Sequence, residues 1–327
     1  MKKLVLGLSA VLLVAAAPPP AQQVVQRIAL HDGGWDILTV DAESHRVLVS
    51  RSDGVDAIDT RTGAVTSDLI KGTRFHGVSV VPGTDLAVAT EAAGLAIIFN
   101  RLTGKVTAEV KTDPDADATI YEPSTRDVWV MNGDSGTISV VDPRAGAEVG
   151  KINLGSGLEF AAIDGAGHLF VNLSDKGELA EVDIAGRKVI RTIPLASCQH
   201  PTGLAYVSPG VLISACANGL AKLVRASDLK LLGDIPIGPR PDGAFADPAR
   251  HRAYIPSGGD GTLAVIDTSS ALPRKIATVL TEVGARTGAV DPSTGAVYLM
   301  GAKFGPPPAA GGRPAISRGS VELLIVK

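Results

Sequence analysis

Seven polar residues recur along the chain at intervals of 40 to 44 residues, and their types could bind a cation or a polar ligand. Four are carboxylates, and the others are a histidine, a threonine and an arginine: Asp36, His76, Asp117, Glu159, Thr202, Asp242 and Arg286. Carboxylate oxygens and imidazole nitrogens are common ligands of divalent cations. If the fold gathers these positions around one axis, they form what we call the polar ring, a candidate site for a divalent cation or for a cationic or polyhydroxyl ligand. The alternative is a solvated channel whose carboxylates cap strand ends and pair with Arg286.

Short apolar runs separated by turn residues surround each of these positions. In 117–154 the runs are ATIY, VWVM, TISVVD and EVGKINL, and clusters of Gly, Pro, Asp and Asn separate them. This pattern is typical of strands joined by hairpins. A glycine opens the third run of each unit, at intervals of 40 to 42 residues and a last interval of 58: Gly54, Gly94, Gly136, Gly177, Gly219, Gly261 and Gly319.

A period near 42 residues with four strands per unit predicts a β-propeller. The seven units therefore predict an all-β fold of seven blades, each with four antiparallel strands. The last unit contains only three runs, so we expect blade 7 to combine 284–327 with an N-terminal strand at 24–30. That pairing would close the ring and hide the sheet edges that a linear array exposes. We expect 24–327 to form a single domain.

The residue after each ring position is mostly small: Ile37, Gly77, Ala118, Phe160, Gly203, Gly243 and Thr287. Small residues fit where seven innermost strands crowd around an axis. The pattern therefore places the polar ring at one mouth of a central channel.

The N-terminus resembles an export signal. Two lysines follow Met1, and an apolar run then extends to Ala16, too short to span a bilayer. We expect a signal peptide over 1–16, with a cleavage site that could lie as late as residue 21, and a periplasmic or secreted protein. No later run approaches 18 apolar residues, so no membrane span is expected after signal removal.

The chain has two cysteines, Cys198 and Cys216. An even pair in an exported protein predicts a disulfide. Their expected positions, in the loop that enters blade 5 and at the end of its second strand, lie on one face of the blade. Two unpaired buried thiols are the alternative.

The long last interval indicates a loop insertion at 301–319, rich in Gly and Pro. It follows a second strand, so it lies on the face of the polar ring. Three basic residues, Lys303, Arg313 and Arg318, give it positive charge opposite the carboxylates. We hypothesise that it covers the channel mouth as a lid; a disordered surface loop is the alternative.

Composition excludes several classes of function. The net charge is −3 and no basic run occurs, which argues against nucleic-acid binding through phosphate neutralisation. No GxSxG, HExxH, P-loop or CxxCH motif is present. No activated nucleophile or complete metal motif is therefore visible.

Several segments carry a family resemblance: GWDILTVD, PDADATIYEPSTRDVWVMNG, CQHPTGLAY, DGAFADPARHRAYIPSGGDGTLAVID and the GPPP insertion. The units resemble YVTN repeats, and the chain is similar to the exported YncE-like seven-bladed propellers. The resemblance covers almost the whole mature chain and implies an exported propeller of mostly unassigned role. Related folds include lactonases, a streptogramin-type lyase and subunits of redox enzymes.

Two functions remain open. The favoured one is a monomeric periplasmic binding module whose polar ring holds a small ligand, a metal or a protein partner without turnover. The alternative is a metal-dependent lactonase- or lyase-like enzyme in which a neighbouring carboxylate acts as base. Its expected metal ligands are Asp117, Glu159, Asp242 and His76.

Overall fold

The computed structural model describes residues 22–155, 157–207, 209–308 and 314–327. The expected signal peptide and Arg313 lie outside the described residues. No helix in these four ranges is long and apolar enough to cross a membrane.

The described chain forms seven antiparallel sheets of four strands, which confirms the predicted propeller. Blade 7 contains β1 (Val24–Ala29), β26 (Gly288–Val290), β27 (Val297–Gly301) and β28 (Glu322–Val326). Blades 1 to 3 contain β2 (Trp35–Asp41), β3 (Arg46–Arg51), β4 (Gly54–Asp59), β5 (Val65–Lys71), β6 (Phe75–Val80), β7 (Leu86–Glu91), β8 (Leu95–Asn100), β9 (Val106–Lys111), β10 (Ala116–Glu122), β11 (Asp127–Asn132), β12 (Thr137–Asp142) and β13 (Ala147–Asn153). Blades 4 to 6 contain β14 (Leu158–Ile163), β15 (His168–Leu173), β16 (Glu178–Asp183), β17 (Lys188–Pro194), β18 (Pro201–Val207), β19 (Val211–Cys216), β20 (Leu220–Arg225), β21 (Lys230–Pro236), β22 (Phe245–Asp247), β23 (Arg252–Ser257), β24 (Thr262–Asp267) and β25 (Arg274–Leu280). Two short 3-10 turns, Ser174–Lys176 and Pro248–Arg250, lie between strands.

The N-terminal strand closes the ring, as predicted. β1 pairs with β28, and the order in blade 7 is β1-β28-β27-β26. Backbone hydrogen bonds of 2.9 and 3.1 Å between Gln23 and Lys327 extend the pairing to the C-terminal residue. The edge of β28 is thereby covered by the other end of the chain.

A carboxylate at the end of the first strand fixes the hairpin to the second strand in five blades. In blade 3, for example, Glu122 accepts hydrogen bonds from Thr125 N (2.7 Å) and Ser124 Oγ (2.8 Å). Such side-chain bonds satisfy the turn's backbone donors. The five carboxylates are Asp41, Glu122, Asp164, Asp247 and Asp291.

The hydrophobic core lies between neighbouring blades and consists mainly of Val, Ile, Leu and Ala. The middle strands are the most buried; every residue of β11 is buried, whereas the outer strand β9 is mostly exposed. Because each blade packs its two faces on its neighbours, the innermost strands are held at fixed positions around the axis.

The predicted disulfide is present. Cys198 and Cys216 are bonded with their Cα atoms 5.3 Å apart, and no free cysteine remains. The bond joins the segment that enters β18 to the end of β19. It therefore fastens one of the crossover segments on the polar-ring face.

Candidate functional site

The first strand of six blades has one extra residue at the ring position. In blade 1, Trp35 lies opposite Arg51 and Leu38 lies opposite Val49, so three steps on one strand match two on the other. The same bulge encloses the ring residues of blades 2 to 5. In blade 6, Pro241 and Phe245 bracket it in the same way. Bulges re-aim side chains next to functional sites, so the backbone presents these six ring positions differently from the rest of the sheet.

A hydrogen bond fixes the backbone just before the ring position. In blade 3 the carbonyl of Asp115, two residues before Asp117, accepts a hydrogen bond from Gly133 N at 2.8 Å. The equivalent bond occurs in six blades, with the acceptors Gly34, Arg74, Asp115, Gly157, His200 and Arg240. Each bond joins the crossover segment to the end of the second strand, so the ring residues lie at equivalent positions along the channel axis in these blades.

Side chains of neighbouring blades hold the ring backbone in place. Thr287 Oγ1 of blade 7 donates to the carbonyl of Asp36 at 2.7 Å. Thr90 Oγ1 of blade 2 donates to the carbonyl of Asp117 at 2.6 Å. These bonds cross the gap between blades and preorganise the carboxylates before any ligand binds.

Crowding near the axis explains the small residue after the ring position. A Cβ atom at Gly203 would lie 2.3 Å from the carbonyl carbon of Gly243 and 2.4 Å from Ala244 N, so only glycine fits there. Asn172 Nδ2 donates to the carbonyls of Thr202 and Gly203, at 2.8 and 3.2 Å, and joins blades 4 and 5. The innermost strands therefore approach one another closely.

Three ring residues from consecutive blades converge. His76 Nδ1 lies 2.7 Å from Asp36 Oδ2 and 3.6 Å from Asp117 Oδ1. A ligand atom of each residue lies within 4.8 Å of the other two, close enough that one metal ion could contact all three. The other nitrogen of the imidazole, His76 Nε2, lies 3.8 Å from Asp115 Oδ1. This nitrogen is buried and has no hydrogen-bond partner. We call Asp36, His76 and Asp117 the channel triad.

The carboxylates of the ring repel one another. Burial raises the pKa of Asp117 well above its ordinary value, and the charges of Asp36, Glu159 and Asp242 raise it further, while His76 opposes them. Burial, followed by the charges of Asp242 and Asp36, raises the pKa of Glu159 to about 8. Burial and like charges both favour the protonated form of an acid. The ring therefore carries more carboxylates than its own cations balance, and a bound cation would replace the retained protons.

The same carboxylates stabilise the charged forms of the ring's own cations, His76 and Arg286. Burial alone would lower the pKa of His76, but the hydrogen bond to Asp36 and the charge of Asp117 outweigh it, so the pKa is raised. Burial likewise opposes the charge of Arg286, but Asp242 and Asp36 raise the pKa of its guanidinium. Without a bound metal, His76 is therefore the proton-carrying partner of the triad carboxylates.

The other ring residues make separate contacts. Arg286 Nε donates to Asp242 Oδ2 at 2.6 Å, and Thr202 Oγ1 donates to the carbonyl of Pro241 at 3.2 Å. Of the four metal ligands expected from the sequence, the structure places His76 and Asp117 in the channel triad. Glu159 and Asp242 act on the triad through their charges, and Asp36 takes the third position.

The insertion between β27 and β28 packs on the polar-ring face. Phe304 and Ile316 form a backbone bridge, and both lie against the core between blades 7 and 1. Lys303 and Arg318 lie at the sides of this loop: Lys303 N donates to Ser320 Oγ at 3.0 Å, and the exposed guanidinium of Arg318 has its Nε 3.9 Å from Asp32. Two of the three predicted lid residues, Lys303 and Arg318, thus flank this loop.

Sequence reasoning missed two contributors to the polar-ring face. Asp115 lies two residues before a ring position, so the repeat that located the ring could also have located it. The second contributor is the pair of carboxylates Asp56 and Asp68, which lies beside His31 between blades 7 and 1. There His31 Nε2 lies 3.0 Å from Asp56 Oδ2, and Asp68 completes a set of three. The triad and this group are the two sets of three metal-ligand side chains within the described ranges.

The group of His31, Asp56 and Asp68 lies beside the positively charged side chain of Arg51. Arg51 is fully buried; its Nη2 donates to the carbonyl of His31 at 2.7 Å, and its Nε lies 3.7 Å from Asp56 Oδ2. Burial lowers the pKa of Arg51 although Asp56 opposes the change. The buried guanidinium balances the carboxylate at the closure of the ring, so we assign this group a structural role.

Comparisons with known proteins identify the fold. No family model matches the sequence, and no curated protein matches it. Among solved structures, a chain of the hydrazine synthase of Kuenenia stuttgartiensis matches with a TM-score of 0.73 and 16% identity, covering 82% of this chain and 93% of that chain. A chain from the crystal structure of the mitotic checkpoint complex matches with a TM-score of 0.76 and 13% identity, covering 99% of each chain. These likenesses show that the chain shares the seven-bladed propeller fold.

Proposed function

We propose that this propeller is a binding module that holds a divalent cation at the channel triad and presents it to a small ligand or a protein partner. The observation that supports this most strongly is the convergence of one imidazole and two carboxylates within 4.8 Å. The raised pKa of Asp117 supports it independently, because a cation relieves the repulsion that burial and Asp36 impose.

The donor set favours a transition metal over calcium or magnesium. Imidazole nitrogen suits Zn²⁺, Cu²⁺, Fe²⁺ and Ni²⁺, whereas Ca²⁺ and Mg²⁺ prefer oxygen ligands. Three protein ligands leave at least one coordination position for water or for a ligand atom. His76 would have to turn one ring nitrogen from its present proton-sharing contact with Asp36 toward the ion.

Titration of Zn²⁺ into chelator-treated protein, followed by calorimetry, tests this assignment. We expect one equivalent to bind, and Asp36→Asn or Asp117→Asn to weaken binding by about tenfold or more. The matched control is Asp164→Asn, which removes a carboxylate 2.7 Å from His168 in a hairpin between first and second strands, away from the ring. Unchanged affinity in both triad variants, or an equal loss in the control, would remove the triad from the site.

A metal-dependent hydrolase or lyase is the second candidate function. The raised pKa of Glu159 favours it. A carboxyl group with a pKa of about 8 is mostly protonated at neutral pH but can still give up and regain its proton there, which suits general acid–base catalysis. If this function holds, Glu159→Gln should abolish turnover of a lactone or ester substrate while Zn²⁺ affinity persists. Zinc binding without turnover across a panel of lactones and esters would favour the binding module.

We also propose that the mature chain is an exported, monomeric member of the YVTN-repeat propellers, located in the periplasm or secreted. The disulfide between Cys198 and Cys216 supports an oxidising compartment. Fractionation of cells that express the full chain, with mass analysis of the mature N-terminus, tests export. A cytoplasmic protein that retains 1–16 would contradict it.

A further inference from the structure

Two adjoining cavities open beside the polar ring, where residues of blades 6, 7 and 1 meet. Their volumes are about 360 and 510 Å³, within the range of small-molecule sites. Both are lined by Gly284, Arg286, Phe304 and Pro314. Because Arg286 belongs to the polar ring, the cavities continue the channel mouth outward.

The insertion supplies an apolar wall of these cavities. The ring of Phe304 lies 6.4 Å from the ring of Trp35, measured between centroids. Ile316 pairs with Phe304 and lines the larger cavity, and Val283, 55% exposed, lines the smaller one. An aromatic and aliphatic surface open to solvent is suited to the apolar body of an organic ligand.

Glycine at position 284 makes room for this wall. Gly284 has a φ of +92°, and a Cβ atom there would lie 2.4 Å from Cε2 of Phe304. The position occupies the same register as Arg240 of blade 6, two residues before the ring residue. At this position blade 7 has a glycine against which Phe304 packs, whereas blade 6 has the guanidinium of Arg240.

The charged groups that line the cavities favour an anion. The three cations are Arg240, Arg286 and Arg318, and the two carboxylates are Asp242 and Asp32. Each carboxylate already has an arginine partner: Arg286 Nε lies 2.6 Å from Asp242, and Arg318 Nε lies 3.9 Å from Asp32. Arg240 takes part in no ion pair within the described residues, so its charge gives the lining an excess of one positive charge. A guanidinium binds a carboxylate through two parallel N–H groups.

We propose that these cavities bind an organic carboxylate with a flat apolar body, the carboxylate at Arg240 and the body against the apolar wall that Trp35 and Phe304 form. Arg286 contributes the N–H groups on its terminal nitrogens, because its Nε is engaged by Asp242. The other three ring carboxylates, Asp36, Asp117 and Glu159, do not line the cavities. The ligand therefore meets positive charge in the cavities, whereas a cation meets negative charge in the channel. This inference goes beyond the proposed function and does not require a metal in the channel.

Tryptophan fluorescence provides a direct test. The protein has two tryptophans; Trp35 lines the cavity, whereas Trp129 is fully buried between blades 3 and 4 and serves as a constant background. We would titrate 3-phenylpropionate into chelator-treated protein, with 3-phenylpropylamine and 3-phenylpropanol as probes of the same body and different charge. Saturable quenching by the carboxylate, with binding at least about tenfold weaker for the amine and the alcohol, is expected. Equal or tighter binding of the amine, or no response to the carboxylate, would overturn the proposal.

Substitutions at Arg240 and Phe304 test the carboxylate-binding part and the apolar part of the site separately. Arg240→Gln should weaken 3-phenylpropionate binding by about tenfold, and Phe304→Ala should weaken it by a similar factor without changing the preference for the carboxylate. The matched control is Arg225→Gln, which removes an exposed arginine that lines a separate cavity between blades 4 and 5. A loss in this control equal to that in Arg240→Gln would show nonspecific charge attraction and contradict the assignment.

Failure of the cation site and failure of the cavity site can be told apart. Asp117→Asn removes a triad ligand that does not line the cavities, so it should weaken Zn²⁺ binding but not the binding of 3-phenylpropionate. Thermal unfolding of every variant verifies that the fold is retained. A parallel loss of both ligands in Asp117→Asn with an intact fold would mean that the cavity has no site of its own.

Discussion

The raised pKa of Glu159 leads to a pH dependence of stability with a defined sign. Its carboxyl group has an ordinary pKa of 4.5 in the unfolded chain and one of about 8 in the folded chain. Between these values the folded protein binds more protons than the unfolded protein does, so the free energy of unfolding falls as pH rises. Glu159→Gln cannot ionise. The variant should therefore become progressively more stable than the parent as pH rises from about 4.5 to about 8.

The size of the effect follows from the same two values. A difference of about 3.5 units at roughly 1.4 kcal/mol per unit sets an upper limit of about 5 kcal/mol at pH 8. Water in the open channel screens the charge, so we expect roughly half of this limit. At pH 4.5 the gain should be less than about 1 kcal/mol, because the group is still half protonated in the unfolded chain and almost fully protonated in the folded chain.

The assay is urea unfolding at pH 4.5, 6, 7 and 8.5 with a chelator present. The control is Glu122→Gln, because hydrogen bonds from Thr125 and Ser124 outweigh burial and lower the pKa of Glu122. A lowered pKa contributes stability above the unfolded value of 4.5 that is lost as pH falls, so this variant should be the less stable one at neutral pH. If Glu159→Gln follows the pH profile of the parent, the electrostatic description of the polar ring is wrong.

Three further predictions concern the fold. Deletion of Val24–Ala29 leaves the edge of β28 uncovered and should cause aggregation and loss of cooperative thermal unfolding; an unchanged unfolding transition would contradict the closure. Replacement of Cys198 and Cys216 by alanine opens a loop of 18 residues and should lower the free energy of unfolding by about 3 kcal/mol; a loss below roughly 0.5 kcal/mol would show that the bond adds nothing. Asp41→Asn removes the charge that binds the buried guanidinium of Arg101 at 2.5 Å, which should cost about 3 kcal/mol in urea unfolding, and a neutral result would refute this role.

The fold could be predicted because each unit repeats the same turn residues at the same positions. A glycine at the start of the third strand and a carboxylate at the end of the first one both mark turns, and turns set the strand lengths. Gly136, for instance, has a φ of +66° and precedes β12 directly. With strand lengths and period fixed, the number of blades follows from the chain length. Closure followed from the same count, because the last unit lacked one strand.

The candidate site was only partly predictable. Counting back from the strand ends located the polar ring, and the order of the blades made Asp36, His76 and Asp117 neighbours. Sequence carries no measure of side-chain distances across the channel. It therefore could not show that Asp242 bonds to Arg286, or that Asp36 rather than Glu159 completes the triad. Those outcomes depend on bulges and crossover bonds that place each side chain.

The cavity beside the ring was outside the reach of sequence reasoning for a different reason. Its wall comes from an insertion that has no counterpart in the other blades, so no repeat predicts where Phe304 lies. The contact with Trp35 joins positions that are far apart in the chain. In the sequence, the glycine that permits this contact, Gly284, marks only the start of the last unit.

Anomalous diffraction from crystals grown with Zn²⁺ tests the central claim most directly, because it locates the ion without relying on activity. We predict one strong peak in the channel, about 2.0 to 2.2 Å from a nitrogen of His76 and from carboxylate oxygens of Asp36 and Asp117. Crystals of Asp36→Asn grown in the same way should lack that peak. Zinc found only at exposed histidines such as His45 or His251, with the channel triad arranged as it is now, would contradict the account.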